Sequence, residues 1–217
     1  MRVVRYDARG HGDSGGTPDD ATYRWDALAL DLLGVMDHAG IGRSVLGGAS
    51  MGCATSLHAA LRAPERMEAL VLVIPPTAWE TRAAQAGTYL AGAELVEAAG
   101  SGALASLVRD VPAPALFAAM ADLVRDASAA AIEAMDPALL PHVFRGAAAS
   151  DLPDAEALAT IDAPTLVLAW AGDPGHPEST AQVLADTIPG ATLSVAHDLA
   201  AVLGWVDRVG DFLSGLR

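Results

Sequence analysis

Apolar positions along this chain recur in two rhythms. Short runs at residues 2–6, 44–46, 69–74, 165–170 and 192–195 read as strands. The runs at 69–74 and 165–170 are continuously apolar rather than alternating, as expected of strands covered on both faces. Between them lie segments of helical spacing. Residues 23–39 put Leu28, Leu32, Leu33 and Met36 on one face, with Asp19 or Asp20 as a cap and Gly40 and Gly42 as the stop. Residues 53–63 form a second helix ended by Pro64, and further helices are predicted at 178–188 and 200–216. Alternation of strand and helix predicts an α/β architecture: a mostly parallel sheet flanked by helices.

Residues 78–150 break this pattern. Strand signals vanish, and alanine and leucine recur at helical spacing, with breaks at Gly100-Ser101-Gly102, Pro112/Pro114 and Pro137/Pro141. The expectation is an inserted bundle of about four helices between two halves of one core, residues 1–77 and 151–217. At 217 residues the chain suits one domain with an insertion, and 52% hydrophobic residues suffice for a sizeable core.

The chemistry concentrates at residues 48–52, Gly-Ala-Ser-Met-Gly, between a strand and a helix. A serine flanked by glycines at such a junction is the pattern of a nucleophile elbow. The sharp turn excludes bulky neighbours, lifts the serine oxygen clear of the sheet and aims the following helix N-terminus at it. Ser50 is therefore the candidate nucleophile, with the Met51 N–H as an oxyanion donor.

A serine nucleophile needs a base, and the base needs an orienting carboxylate. Asp173 follows the strand at 165–170 in a Gly/Pro-rich loop, where functional groups of parallel sheets gather. Its alternative reading is a turn aspartate bonded to its own backbone. His197 follows the last strand and completes the order Ser50, Asp173, His197, so it is the expected base. His176 stands only three residues from Asp173 and reads as a loop residue. His58 lies behind Ser50 on its helix, His142 falls in the insertion, and His38 ends a surface helix. Ser14, in Gly12-Asp13-Ser14-Gly15-Gly16, also fits Gly-x-Ser-x-Gly, but no strand leads directly into it and no helix starts on it. It reads as a turn residue.

Charge and cysteine content narrow the remaining classes. A formal net charge of −14 disfavours nucleic acid as a partner. No apolar stretch approaches the roughly 18 residues of a membrane span. The N-terminus lacks a signal-peptide layout, so a cytoplasmic protein is expected. The single cysteine, Cys53, reads as a small core residue, and the scattered histidines argue against zinc.

These segments resemble the α/β-hydrolase fold family over nearly the whole chain. Asp7-Ala8-Arg9-Gly10-His11-Gly12-Asp13-Ser14 is similar to the family's loop after its fourth strand, residues 48–52 to its elbow, Gly172-Asp173-Pro174 to its acid loop, and 78–150 to its helical cap. The resemblance implies a serine hydrolase of the small esterase or lactonase kind, acting without a cofactor on a small-molecule substrate. Perhydrolysis like that of cofactor-free haloperoxidases would use the same triad. In two respects the pattern departs from the family: His197 follows its strand almost at once, and the family's first three strands, with the loop supplying half its oxyanion hole, have no counterpart. The expectation is that Met1 is an internal methionine of a longer protein, the alternative being a short variant whose strand at 2–6 pairs directly with that at 44–49. A chain so altered could also be catalytically impaired and act as a binding module.

Overall fold

The computed structural model describes residues 2–216. Four strands, β1 (Ser44–Ala49), β2 (Met67–Val73), β3 (Thr165–Trp170) and β4 (Thr192–Ala196), form one sheet in the order β1-β2-β3-β4. Every pairing is parallel, so the C-terminal ends of all four strands point to one edge. In register, Ala49 lies beside Val73, Val73 beside Leu168, and Trp170 beside Ala196. Ser50 and the segment after Trp170 thus emerge on the same side, two strands apart.

The apolar rhythm explains the layering. β3 is buried from Thr165 to Ala169, as a strand covered on both faces must be. Helices α1 (Trp25–His38) and α2 (Met51–Arg62) pack together, α2 against β1 and β2, and α8 (Glu178–Thr187) against β3 and β4. Leu28 and Met36 of α1 are buried, and Leu32 and Leu33 pack partly buried beside them. Asp19 caps a 3-10 turn at Asp20–Tyr23, its side chain accepting from the Ala21 N–H.

Four helices and no strand occupy the middle of the chain: α3 (Arg82–Ala99), α4 (Ser101–Asp110), α5 (Ala121–Glu133) and α6 (Leu140–Ala148). A short α7 (Ala155–Leu158) returns to the sheet. The buried Arg82 ties this segment to the core. Its Nε donates to Ser150 O at 2.8 Å, Nη1 donates to Thr77 Oγ1 at 3.2 Å, and the guanidinium lies 4.3 Å from the Trp25 ring centroid. Beyond β4, the helix expected at 200–216 is divided at Gly204 into α9 (Leu199–Leu203) and α10 (Trp205–Gly215).

The strand expected at residues 2–6 does not form. These residues join no ladder and are exposed, Val3 at 68%. Direct pairing with 44–49 is likewise not observed: β1 is a sheet edge. A groove of about 830 Å³ separates the two segments, lined by Val3, Tyr6, Met36, Val45 and Leu213 among others. The outward N–H and C=O groups of β1 therefore face this groove and not a paired strand. Among the described residues no single helix is long and apolar enough to cross a membrane.

Candidate active site

The elbow is built by a close backbone approach. A Cβ on Gly48 would come within 2.7 Å of the Gly52 Cα, which leaves no room for any side chain at position 48. At Gly52 itself a Cβ would meet open space, so only one of the two flanking glycines is sterically required. Ser50 sits at φ 50 and ψ −111, a conformation that non-glycine residues rarely adopt. Its N–H donates to Val73 O at 3.0 Å, clamping the turn to the neighbouring strand. Ser50 also stands at the N-cap of α2 without a side-chain capping bond, so its hydroxyl is free for other work. The Met51 N–H opens α2 beside it, at the end of the helix where positive charge accumulates.

Cys53 lies under this turn, fully buried, its sulfur 3.0 Å from Val73 O and 3.2 Å from Gly48 O. Burial pushes the thiol far above its ordinary pKa, as befits a core residue that stays protonated.

The second half of the site is the loop at residues 171–177. Gly172 takes φ 77, a left-handed conformation that turns the chain sharply after β3. Asp173 Oδ1 then accepts from the Gly175 N–H at 2.8 Å, and the His176 N–H donates to Asp173 O at 3.2 Å. This tight turn brings the side chains of residues 173 and 176 to one side. His176 Nδ1 lies 2.9 Å from Asp173 Oδ2, and His176 Nε2 lies 2.9 Å from Ser50 Oγ. The ring is three-quarters buried and the carboxylate more so, with side-chain exposures of 24% and 12%. The Thr77 N–H donates to Gly175 O at 3.2 Å, holding the loop to the segment that follows β2.

The histidine that meets Ser50 is therefore His176 and not the expected His197. His197 is exposed, directly after β4, and makes no hydrogen bond to Ser50 or Asp173 among the described residues. The strand ends in place, with Ala196 O accepting from the Ala171 N–H at 2.9 Å, and Asp198 at once caps α9 by accepting from the Ala201 N–H. No loop is left to carry residue 197 back across β3. His176 reaches Ser50 because its turn projects from the strand between. Closeness in sequence, which argued against it, is what the turn exploits, and Pro174 and Gly175 between the two residues are the signal that such a turn is available.

Three other histidines are engaged elsewhere. His58 Nε2 lies 3.0 Å from Asp151 O, His142 Nδ1 lies 2.6 Å from Asp20 Oδ1, and His11 Nδ1 lies 3.0 Å from Arg9 O. Ser14 Oγ donates to Asp7 O at 2.7 Å, a bond within its own turn.

Electrostatics hold Asp173 ionised. Its partial burial alone would raise the pKa. Hydrogen bonds from His176 and Trp170, the attraction of the imidazole and the Gly175 N–H outweigh that effect and keep the carboxyl at about 2. A carboxylate can only accept, so the proton on Nδ1 points to Asp173 and Nε2 is left to accept from the Ser50 hydroxyl. The arrangement can take a proton from a serine oxygen as that oxygen attacks.

Comparison with known proteins agrees with this architecture. A family model of the alpha/beta hydrolase fold matches residues 1–94. A hydrolase structure from Pseudomonas aeruginosa superposes with a TM-score of 0.80 at 28% identity, covering 98% of this chain and 80% of that one. The enol-lactonase structure from Burkholderia xenovorans superposes with a TM-score of 0.81 at 25% identity, covering 97% and 80%. The sn-1-specific diacylglycerol lipase of Mus musculus is 38% identical over 96 residues, which is 44% of this chain and 30% of the lipase. The alignment thus spans about a third of that curated relative. Parallel sheet, elbow and a structural likeness that covers 97–98% of this chain together give it the α/β-hydrolase fold.

Proposed function

We propose that this protein is a serine hydrolase that cleaves an ester, thioester or lactone of a small apolar molecule through an acyl-enzyme at Ser50. One observation carries the reading: the continuous chain Ser50 Oγ–His176 Nε2, His176 Nδ1–Asp173 Oδ2, with both links at 2.9 Å, beside the uncapped start of α2. The likeness to an enol-lactonase structure over 97% of this chain supports the carbonyl chemistry.

In this mechanism the Ser50 oxygen attacks the substrate carbonyl while Nε2 of His176 takes its proton. Asp173 keeps the imidazole in the required tautomer and stabilises the imidazolium that forms. The Met51 N–H donates to the oxygen that gains negative charge. Collapse of the tetrahedral intermediate expels the alcohol, thiol or ring oxygen, which receives the proton from Nε2 and leaves Ser50 acylated. Water then attacks the acyl carbon as the same nitrogen takes its proton, and collapse releases the acid while the imidazolium returns that proton to the Ser50 oxygen. Helices α3–α6 act as the cap over this site. No step calls for a cofactor.

The test is labelling with a fluorophosphonate probe, paired with turnover of p-nitrophenyl acetate and a simple lactone. Wild-type protein labels and turns over, and Ser50→Ala does neither. Labelling that survives Ser50→Ala would sink the assignment, and a wild-type protein inert in both assays would favour a binding role for the fold.

A further inference from the structure

The acid of this site has a third partner that the triad does not require. Trp170, the last residue of β3, donates its indole N–H to Asp173 Oδ2 at 2.9 Å. That is the same oxygen that faces His176 Nδ1. Asp173 is thereby held at both ends, Oδ1 by the Gly175 N–H and Oδ2 by two donors on separate residues.

The indole is itself fixed on several sides. Trp205 of α10 stacks on it with centroids 5.9 Å apart and planes 6° from parallel, and Phe117 meets it edge-on at 4.9 Å. The ring of His176 stands at 84° to it, 6.4 Å away. Such packing leaves the Nε1–H little freedom to point anywhere else.

Building on the hydrolase reading above, we propose that Trp170 is a positioning residue: it fixes the Asp173 oxygen that orients His176 and shares that oxygen's charge with the imidazole. It touches no reacting atom and acts through Asp173. His176 is the titratable neighbour that bears on Asp173, while Ser50, which meets His176, and Phe117 and Trp205, which pack on Trp170, carry no charge. Removing the indole N–H leaves Oδ2 with a single donor. The carboxylate then favours the imidazolium more strongly, so protonation of His176 becomes easier.

Trp170→Phe keeps the ring and deletes the donor. The expected result is an acidic limb of kcat/KM, and an NMR titration of the His176 ring, both displaced to higher pH by about half a unit. Looser orientation lowers kcat by about tenfold with KM retained. Trp205→Phe, which keeps a stacked ring and loses an indole N–H that has no partner, leaves the titration in place. An unchanged or downward-shifted titration in Trp170→Phe, or an equal shift in Trp205→Phe, overturns the proposal. If Trp170→Phe does not fold, wild-type protein with labelled indole nitrogens decides. The Trp170 N–H resonance must move as His176 titrates, and a resonance indifferent to that titration overturns the proposal. Both NMR readouts need no turnover, so failure of the hydrolase reading in the probe assay stays distinguishable from failure of this one.

Discussion

The elbow at residues 48–52 and the loop at residues 171–177 both leave parallel strands at the same sheet edge, yet different forces hold them. The elbow is a contact of backbone with backbone. Gly48 and Gly52 approach so closely that position 48 admits no Cβ, and the serine between them is forced to a positive φ. Its cause lies within five residues. The second loop is a web of polar side chains: Asp173 to Gly175, His176 and Trp170, and His176 to Ser50, which is 126 residues away. Its cause is spread over the fold. A steric device of this kind is brittle to added atoms, whereas a hydrogen-bonded one is brittle to lost donors and to pH.

The largest expected effect separates the two histidines. His176→Gln should lower kcat/KM by about 10²–10⁴-fold, the usual worth of a general base, while His197→Gln leaves it within about twofold. Ester hydrolysis by the two variants checks this, and the opposite ranking would return the base to His197. Asp173→Asn should follow closely. An amide can hold the imidazole in the wrong tautomer, and a loss of roughly 10³-fold or more is expected in the same assay.

Next comes the elbow itself. Gly48→Ala forces a Cβ against the Gly52 backbone and should destabilise the fold by about 1–3 kcal/mol, read as a lowered urea midpoint. Gly52→Ala meets open space at a helical position and should change stability by less than about 1 kcal/mol, with any change towards greater stability. Equal losses at both positions would mean that the glycines act through chain flexibility and not through contact.

The smallest effect is acid sensitivity of the second loop. Asp173 is held at about 2 against an ordinary 3.8, so protonation favours the unfolded chain. The stabilisation is complete above pH 3.8 and is lost as the pH falls towards 2. Unfolding by urea across that window should show a steeper loss in wild type than in Asp173→Asn.

Much of this is legible in the sequence. The buried run at 165–170 became β3 at the same residues, and the glycine-flanked serine became the elbow, because burial on both faces and steric exclusion leave marks on adjacent residues. The helical texture of 78–150 likewise recurs as α3 to α6. His176 does not stand out in the sequence because chain order favours the histidine after the last strand, and chain order says nothing about where a tight turn aims a side chain. Trp170 gave no sign of polar work, standing at the end of an apolar run where its ring suits the core. The segment at 2–6 has strand composition, but a strand exists only where a neighbour accepts its hydrogen bonds, and β1 does not pair with it.

The sequence by itself determined the layered α/β plan and singled out Ser50 as the candidate nucleophile. Both rest on short-range rules: the period of apolar residues and the space available beside a backbone turn. Only the tertiary structure decided which histidine serves Ser50 and which indole steadies Asp173. Those choices depend on distances across three parallel strands, and such distances exist only once the sheet has assembled.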